Sequence, residues 1–427
     1  MDVVLNPSPL HGALPAIPSK SDVHRLLICA ALADAPTLLE LGSAMEPSVD
    51  MKATADCLKA LGASIVYEHG HYLIQPCSVA PGRASLDCGE SGSTLRFLLP
   101  VAAARCPEST FDGHGRLPGR PVRELLDAMT PNGVVASDDH LPLTLTGSLH
   151  SGTFRLPGNV SSQYITGLLL ALPLLDGDST IELTTPLQSA AYVDITLHAL
   201  SRFGIRVEST ETGWHVPGRQ QYHTPGTLQA EGDWSNAAFF LAAGALTDHP
   251  EGVTVSGLWN QSPQGDKAIV EQITALGAPA DWDAEDAVHI RPAPLQSSSI
   301  DLQEIPDLCP ILAVLAAYAE GDTVFHGGAR LRLKESDRIA SVCAMLQALG
   351  ASVDEQPDGM IIHGTGGQKL PGGTVDSCND HRIVMASAIA SLKTEGPVTI
   401  LGAEAVNKSY PSFFDDVQRL GGNVHVL

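Results

Sequence analysis

Three short segments of the sequence carry a basic residue where a helix is predicted to begin: residues 18–25, 333–338 and 378–382. In each, an arginine is predicted in the first helical turn, namely Arg25, Arg338 and Arg382. This is the positive end of the helix dipole, where a cation is disfavoured by about 0.3–1 kcal/mol. A bound anion would make the arrangement favourable, because backbone N–H and guanidinium groups can both donate to it. The alternative is local neutralisation by a nearby aspartate: Asp22, Asp337 or Asp380.

Four further segments contain groups that bind anions or hydroxyl-rich ligands. They are residues 89–94, 116–122, 161–164 and 407–411. Each also has an ordinary structural interpretation, as a helix cap or a surface turn. Together with the three arginine segments, they predict a site for an anionic ligand inside a chain that is acidic overall.

A pattern of an amphipathic helix, a glycine and a strand recurs along the chain. The glycines lie at intervals of 71 to 73 residues, at positions 62, 133, 204, 277, 350 and 421. Glycine is favoured there because it adopts the left-handed conformation that ends a helix. Polar turns between these copies predict the N-caps of a second set of helices. Each unit of about 70 residues therefore predicts a βαβαββ arrangement.

Six such units divide into three plus three, which predicts an α/β protein with two domains of like architecture. Loop-forming residues at 218–221 and 224–226 indicate a boundary near residues 220–232. Because ligands favour domain interfaces, the helix N-termini are candidates to line one cleft.

Composition narrows the class of partner. The 427 residues include 48 acidic and 25 basic side chains, a net charge of −23, which repels nucleic acid and anionic membrane surfaces. The eight cysteines form no Cys-x-x-Cys pair and no zinc-ligand spacing, so we expect buried thiols in a reducing compartment. The first 20 residues lack a signal-peptide pattern, and no apolar run could span a bilayer. A cytoplasmic protein with small-molecule partners is predicted.

In order along the chain, these motifs resemble the 5-enolpyruvylshikimate-3-phosphate synthase (EPSP synthase) family. The most specific are Leu-x-x-Lys-Glu-Ser-Asp-Arg at residues 331–338 and Asn-Asp-His-Arg at residues 379–382. The resemblance also covers Lys20-Ser21 with Arg25, residues 89–96, Arg120-Pro121, residues 161–163 and residues 408–411. It implies a two-domain inside-out α/β barrel of six βαβαββ repeats, shared with RNA 3′-phosphate cyclase. The implied domains are residues 18–229, and residues 1–17 plus 230–427, with the active site in the cleft between them.

The resemblance implies transfer of the enolpyruvyl group of phosphoenolpyruvate to the 5-hydroxyl of shikimate 3-phosphate, with release of phosphate. The residues implied for shikimate 3-phosphate are Lys20, Ser21, Arg25, Ser161, Ser162, Gln163, Ser189, Tyr192, Asp307 and Lys334. Those implied for phosphoenolpyruvate are Lys20, Gly92, Arg120, Gln163, Arg338, Arg382 and Lys408. No metal and no organic cofactor is implied, and family members are usually monomers.

The chemistry requires two proton transfers. Addition across the enol ether needs a proton at the methylene carbon and loss of the proton from the attacking hydroxyl. Glu335 is the implied acid, Asp307 the implied base, and Lys20 can assist either transfer. The cations neutralise the departing phosphate. A plain helix cap is the alternative interpretation of Asp307.

The chain departs from the family pattern in the loop at residues 90–97. Glu90, Ser91 and Phe97 stand where members often have asparagine, alanine and proline, and Arg330 stands where many have asparagine. Glu90 places a carboxylate near a phosphate-bearing ligand. The resemblance therefore does not predict the response to the herbicide glyphosate.

Two other functions remain open. UDP-N-acetylglucosamine 1-carboxyvinyltransferases share the fold and the donor, but their loop cysteine before Arg-Pro-Val is absent from residues 114–122. Their Lys-Asn motif is also absent, because Ser21 follows Lys20. A non-catalytic anion-binding protein on this scaffold would not need Lys20, Asp307 and Glu335 together. The cyclase is disfavoured by the acidic charge and the missing histidine motif.

Overall fold

The chain folds into two compact units. The computed structural model describes residues 1–42, 46–283 and 286–427. Met1–Ser19 and Glu231–Leu427 form one unit, the terminal unit, and Lys20–Ala230 form the other, the middle unit. Both termini thus belong to the same unit.

The described residues form twelve α-helices. They are α1 Lys20–Ala31, α2 Val49–Ala60, α3 Gly92–Arg105, α4 Arg123–Met129, α5 Ser162–Ala171, α6 Ala190–Arg202, α7 Trp234–Leu246, α8 Ile269–Ala275, α9 Cys309–Tyr318, α10 Arg338–Ala348, α11 His381–Ala390 and α12 Phe413–Arg419. Three of the short 3-10 helices matter below: Pro306–Leu308, Ala329–Leu333 and Ala403–Lys408. In the part of the chain that the structure describes, no helix is long and apolar enough to cross a membrane.

The strands are short, with three to five residues each. They are β1 Val3–Asn6, β2 Gly12–Pro15, β3 Thr37–Glu40, β4 Ser64–Glu68, β5 His71–Gln75, β6 Ala84–Asp87, β7 Glu108–Asp112, β8 Val134–Ala136, β9 Leu143–Gly147, β10 Thr153–Leu156, β11 Ser179–Leu183, β12 Glu208–Thr210, β13 Gly213–Val216, β14 Thr227–Gln229, β15 Val253–Ser256, β16 Ala280–Trp282, β17 Val288–Ile290, β18 Ser299–Asp301, β19 Asp322–His326, β20 Ser352–Gln356, β21 Gly359–His363, β22 Gly373–Asp376, β23 Val398–Leu401 and β24 Asn423–Val426.

These strands form six four-stranded sheets of one topology, each with one parallel and two antiparallel pairings. In the middle unit the strand orders are β14-β3-β5-β4, β6-β7-β9-β8 and β10-β11-β13-β12. In the terminal unit they are β16-β17-β15-β2, β18-β19-β21-β20 and β22-β23-β1-β24. The α/β class and the sixfold repeat are therefore confirmed.

The odd-numbered helices fill the interior. All ten residues of α9 and all ten of α11 are buried, and α7, α9 and α11 pack against one another. In the middle unit α3 packs against α5. Most strands alternate buried and exposed residues, so each sheet has one face toward the helices and one toward solvent. Helices inside and sheets outside give the inside-out arrangement that was predicted.

Caps and glycines set where the helices begin and end. Ser91, Ser161, Asp233 and Asp380 accept a backbone N–H two or three residues ahead and begin α3, α5, α7 and α11, as predicted. The six periodic glycines all have φ between +75° and +104°, which confirms their predicted role. The odd-numbered helices therefore present their N-termini at equivalent places in each repeat.

A cross-strand histidine makes one sheet of the terminal unit sensitive to pH. His363 Nδ1 lies 2.9 Å from Asp322 Oδ1, and its Nε2 lies 3.2 Å from Asp354 Oδ2. Hydrogen bonds to Asp322 and then Asp354 raise the pKa of His363 above its ordinary value. A raised histidine pKa stabilises the fold below the unfolded pKa of about 6.5, and this stability is lost as pH rises through the folded pKa.

We therefore expect His363→Gln to lower the urea unfolding midpoint at pH 5.5 and to change it little at pH 9. The ionic contribution is small because the group is exposed. Urea titrations of both proteins at several pH values measure it. A difference that stayed constant from pH 5.5 to pH 9 would contradict this role.

Candidate active site

The beginnings of α9, α10 and α11 bring together six charged side chains of the terminal unit. We call these the charged cluster: Asp307, Lys334, Glu335, Arg338, Asp380 and Arg382. Every member was singled out from the sequence, although Asp380 was considered only as an N-cap and a local neutraliser. The cluster therefore unites three motifs from two successive repeats, because α9 and α10 belong to the repeat of β18–β21 and α11 belongs to the next one.

Arg338 lies at the centre of this cluster, and its side chain is 1% exposed. Its Nε donates to Asp380 Oδ2 at 3.0 Å, Nη1 donates to Asp307 Oδ1 at 2.8 Å, and Nη2 donates to Glu335 Oε2 at 2.7 Å. Burial alone would lower the pKa of a guanidinium, but the three carboxylates raise the pKa of Arg338 overall. Arg338 therefore stays charged and fixes the positions of three carboxylates.

Asp307 is held by three cations. Its Oδ1 lies 2.8 Å from Arg338 Nη1 and 3.4 Å from Lys334 Nζ, and its Oδ2 lies 3.2 Å from Arg382 Nη2. Among the described residues, neither α9 nor the preceding Pro306–Leu308 turn has a side-chain cap. The helix-cap interpretation of Asp307 is therefore wrong, and its carboxylate faces the cations instead.

Glu335 is the most exposed carboxylate of the charged cluster. Its side chain is 26% exposed, against 14% for Asp307 and 0% for Asp380. The neighbouring Lys334 is partly buried; burial lowers the pKa of its ammonium group, and Asp307 acts in the opposite direction. A partly exposed carboxyl group fixed by one arginine is suited to exchange a proton with a ligand.

The loop before α11 has an unusual backbone. Cys378 and Asn379 both have positive φ, +51° and +53°, in the left-handed region that costs a non-glycine residue about 1–3 kcal/mol. Lys408, at the end of the 3-10 helix Ala403–Lys408, donates from Nζ to the carbonyl of Asn379 at 2.8 Å. Lys408 is thereby placed beside the segment that begins α11.

In the middle unit, Lys20 is the first residue of α1. Its Nζ lies 2.9 Å from Asp50 Oδ2, and the two side chains are 16% and 13% exposed. Asp50 was not singled out from the sequence, because an aspartate in the first turn of a helix is ordinary. The pair fixes the position of the Lys20 ammonium group at the start of α1.

The prediction that Arg25 lies in the first turn of its helix is wrong. Arg25 is the sixth residue of α1, so it lies in the second helical turn, since α1 begins as early as Lys20. Arg25 is 2% exposed, and it donates to the carbonyls of Ser21 at 2.6 Å and Tyr192 at 2.9 Å and to Thr196 Oγ1 at 2.8 Å. Of the three arginines, Arg338 and Arg382 therefore keep the predicted conflict with the helix dipole, and Arg25 does not.

The alternative interpretation, in which each arginine is neutralised by an aspartate close to it in the sequence, must also be revised. Asp22 lies 3.8 Å from Arg202, and Asp337 caps α10 while pairing with Arg332 at 3.0 Å. Asp380 neutralises Arg338, which lies 42 residues earlier in the chain. Charge balance in the cluster is therefore supplied across repeats.

The start of α5 is joined to the first two turns of α3. Ser161 caps α5, and Ser162 is 7% exposed. Gln163 accepts from Arg96 Nη1 at 2.8 Å and donates to Ser93 Oγ at 2.9 Å. These bonds place the hydroxyl and amide groups of the two segments in one polar patch. Ser189, with φ +56° and 2% exposure, and half-buried Tyr192 lie at the start of α6.

Two guanidinium groups converge on Gly92, the first residue of α3. A Cβ atom at this position would lie 2.6 Å from Arg120 Nη1 and 2.8 Å from Arg96 Nη1. Among the described residues, Arg120 Nε is buried and has no hydrogen-bond partner. A helix N-terminus with two arginines in front of it forms a built anion site. Arg96 was not assigned a ligand from the sequence.

We expect Gly92→Ala to weaken the binding of an anion at this site while leaving the fold intact. The added methyl group must displace the ends of flexible arginine side chains, which is cheap for folding. Losing one charge-assisted hydrogen bond costs about 1.5–3 kcal/mol, so the KM for the anionic substrate should rise by roughly ten- to a hundredfold. Steady-state kinetics measure this.

Gly82→Ala is the control for that substitution, because a Cβ atom there meets nothing within 4 Å. Its KM and thermal midpoint should match those of the unmodified protein. An unchanged KM in Gly92→Ala would remove Arg120 and Arg96 from the anion site.

Among the residues that the structure describes, two side-chain groups elsewhere have the composition of a metal site. One is His11 with His249 and Glu251, and the other is the run from Asp138 to His140. The rings of His11 and His249 stack at 3.9 Å with an interplanar angle of 17°. We assign no metal to either group.

Comparison with known proteins gives a consistent family. A protein-family model described as "EPSP synthase (3-phosphoshikimate 1-carboxyvinyltransferase)" matches residues 4–417. A 3-phosphoshikimate 1-carboxyvinyltransferase from Clostridium kluyveri is 41% identical over 426 residues, covering 99% of this chain and 98% of the relative. One from Methanocorpusculum labreanum is 38% identical over 431 residues, covering 99% of both chains.

Solved structures agree with the sequence relatives. The EPSP synthase from Acinetobacter baumannii superposes with a TM-score of 0.83 at 26% identity, over the full length of both chains. The enolpyruvyl transferase NikO from Streptomyces tendae superposes with a TM-score of 0.78, covering 99% of this chain and 98% of NikO. At 19% identity, the likeness to NikO concerns the fold alone.

Proposed function

Because the chain belongs to the EPSP synthase family, we propose that the charged cluster and the anion site at Gly92 carry out the 3-phosphoshikimate 1-carboxyvinyltransferase reaction. The chain is a transferase of the shikimate pathway, in aromatic amino acid biosynthesis. It moves the enolpyruvyl group of phosphoenolpyruvate to the 5-hydroxyl of shikimate 3-phosphate and releases phosphate. The UDP-N-acetylglucosamine reaction is not favoured by these relatives.

The observation that carries the site assignment is the ion-paired arrangement around Arg338. Two carboxylates, Asp307 and Glu335, lie within 2.8 Å of the same guanidinium. A reaction that protonates a methylene carbon and deprotonates a hydroxyl needs two such groups. Glu335 delivers the proton to the methylene carbon, and Asp307 accepts the proton of the 5-hydroxyl as its oxygen attacks the adjacent carbon. The bond to phosphate then breaks as Glu335 takes a proton back from the new methyl group, which restores the double bond and releases phosphate.

The two substrates are anionic, and the proposed ligands are the cations already described. Phosphoenolpyruvate takes Lys20, Gly92, Arg120, Gln163, Arg338, Arg382 and Lys408. Shikimate 3-phosphate takes Lys20, Ser21, Arg25, Ser161, Ser162, Gln163, Ser189, Tyr192, Asp307 and Lys334. Arg25 contributes in part by holding Ser21 and Tyr192 through their carbonyls. That one cleft unites these residues stays a prediction.

Two further properties complete the proposal. The terminal and middle units correspond to two domains of three repeats each, and the protein works as a cytoplasmic monomer without metal, cofactor, nucleic acid or membrane. The net charge of −23 opposes binding to nucleic acid and anionic membranes, and the eight cysteines are free thiols. Sedimentation with both substrates present tests the monomer.

A phosphate-release assay tests the reaction. Folded protein with phosphoenolpyruvate should release phosphate when shikimate 3-phosphate is added and should release none with UDP-N-acetylglucosamine. Release with the second acceptor would assign the other transferase activity. Binding of shikimate 3-phosphate without turnover would favour the non-catalytic anion-binding protein.

A further inference from the structure

A run of buried side-chain hydrogen bonds ends at the first turn of α3, next to the anion site at Gly92. It begins on α1, where His24 Nδ1 lies 2.6 Å from Thr54 Oγ1 of α2. Thr54 Oγ1 lies 2.7 Å from Thr94 Oγ1 of α3, and Thr94 Oγ1 donates to Ser91 Oγ at 2.8 Å. Each of these four residues is at most 1% exposed. We call the four side chains the hydroxyl network, and it joins three helices of the middle unit.

The direction of the hydroxyl network follows from the number of protons available to it. Each hydroxyl group has a single proton to donate. The proton of Thr94 is used in the bond to Ser91, so Thr54 must donate to Thr94. The proton of Thr54 is then used as well, so His24 must donate to Thr54 from Nδ1. Every group in the network therefore donates towards Ser91.

The surroundings of His24 agree with this direction. Among the described residues, its Nε2 is buried and has no hydrogen-bond partner. A neutral imidazole protonated on Nδ1 leaves a bare nitrogen at Nε2, whereas an imidazolium would bury an unpaired N–H together with its charge. Burial lowers the pKa of His24 well below its ordinary value, and the charges of Lys20 and Arg25 act in the same direction. His24 is therefore a neutral, fixed donor.

At the other end of the network, Ser91 fixes the first turn of α3. Its Oγ accepts from the backbone N–H of Thr94 at 3.2 Å as well as from the Thr94 hydroxyl. These two bonds occupy both lone pairs of the Ser91 oxygen, so they determine how the serine side chain is oriented. The next residue is Gly92, on which Arg96 and Arg120 converge. A shift of this turn would move the backbone N–H groups that an anion there would use.

We propose that the hydroxyl network positions the anion site for phosphoenolpyruvate, with His24, Thr54 and Thr94 as its positioning residues. The network begins one helical turn after Lys20 on α1 and ends directly before Gly92 on α3. Both of those residues are proposed ligands of phosphoenolpyruvate, and the network fixes the helices that carry them relative to each other. The inference rests on the function proposed above.

Thr94→Val tests the proposal, because it keeps the shape of the side chain and removes both hydroxyl contacts. The first turn of α3 should be less well fixed, so the KM for phosphoenolpyruvate should rise about two- to tenfold, as for one lost hydrogen bond. A loss of binding alone should change kcat by less than about twofold. Thr94→Ser keeps the hydroxyl group and should restore the KM. Ser91→Ala removes the last acceptor and should raise the same KM.

Thr37→Val is the matched control. Thr37 is 0% exposed, and its Oγ1 lies 2.7 Å from Thr224 Oγ1, but it belongs to β3 and lies outside the hydroxyl network. Its thermal midpoint should fall about as far as that of Thr94→Val, while its KM for phosphoenolpyruvate stays unchanged. A purely structural role would affect the two variants alike. Equal KM values in Thr94→Val, Ser91→Ala and the unmodified protein would overturn the proposal.

The tautomer of His24 gives a readout that needs no turnover. Long-range proton–nitrogen correlation spectra of protein with isotope-labelled histidine distinguish a protonated ring nitrogen from a bare one. The signal of His24, identified by its loss in His24→Asn, should show a proton on Nδ1 and a bare Nε2 at neutral pH. A proton on Nε2 alone would make Nδ1 an acceptor, and the directed network would be wrong.

A closing comparison separates this inference from the proposed function. If the unmodified protein released no phosphate with shikimate 3-phosphate, the proposed function would fail. Calorimetric titration of the same variants with phosphoenolpyruvate would then decide whether the hydroxyl network supports the anion site. If the unmodified protein turned over both substrates and Thr94→Val kept its KM, only the positioning role would fail.

Discussion

The variant Glu335→Gln should bind both substrates and fail to turn them over. The glutamine amide has the shape of the carboxyl group, and its oxygen can still accept the hydrogen bond that Arg338 Nη2 donates at 2.7 Å. It has no acidic proton for the methylene carbon. General acid catalysis contributes roughly 10²- to 10⁴-fold, so kcat should fall by that factor. Phosphate release measures kcat, and calorimetry with shikimate 3-phosphate measures binding.

Glu355→Gln provides the matched control. Glu355 also pairs with an arginine, 2.9 Å from Arg332 Nη1, but it lies on β20 and outside the charged cluster. It should keep full activity. Full activity in Glu335→Gln would remove Glu335 from the mechanism, and loss of binding in that variant would reassign it to holding Arg338.

The repeat was visible in the sequence because one backbone requirement recurs. A helix that ends against a following strand needs a left-handed residue, and glycine meets that need at lowest cost. All six glycines do have positive φ. The sheet orders were not predictable, since β1 and β2 from the N-terminus complete sheets whose other strands lie hundreds of residues later. Pairing at such separation depends on tertiary packing.

The cations of the site were predictable, whereas most of their partners were not. An arginine in the first turn of a helix breaks a local rule, and this signal found Arg338 and Arg382. Asp380 caps its own helix and also neutralises Arg338, and only the first role has a local signature. Asp50 and Arg96 lie in ordinary helical positions. Their importance comes from what the fold brings close to them.

The wrong prediction for Arg25 arose because the start of α1 was not known from the sequence. Its signal depended on the exact start of α1, and helix ends are the least reliable part of a sequence-based assignment. Arg25 lies one turn further into its helix, where it donates to four carbonyl or hydroxyl oxygens of the middle unit. A buried arginine can hold neighbouring residues of a site in place through its hydrogen bonds, even when it does not lie at the start of a helix.

The stability of the fold and the proposed reaction both depend strongly on the side chain of Arg338. Replacing it by methionine leaves Asp380, which is 0% exposed, without its guanidinium partner. Removing one member of a buried ion pair typically costs about 3–5 kcal/mol, so Arg338→Met should lose that much stability and nearly all turnover. Urea unfolding and the phosphate assay measure the two effects. Arg206→Met, which changes an exposed pair at 3.7 Å, should lose at most about 1 kcal/mol.

A second substitution separates the two roles of Arg338. In Arg338→Met with Asp380→Asn, no buried charge is left unpaired at this position, and asparagine can still cap α11. Most of the lost stability should therefore return, and the double-mutant cycle should give a coupling of several kcal/mol. Turnover should not return, because the proposed ligand of phosphoenolpyruvate is still missing. Recovery of turnover would show that Arg338 only holds the fold, and failure to recover stability would place its main partner elsewhere, at Asp307 or Glu335.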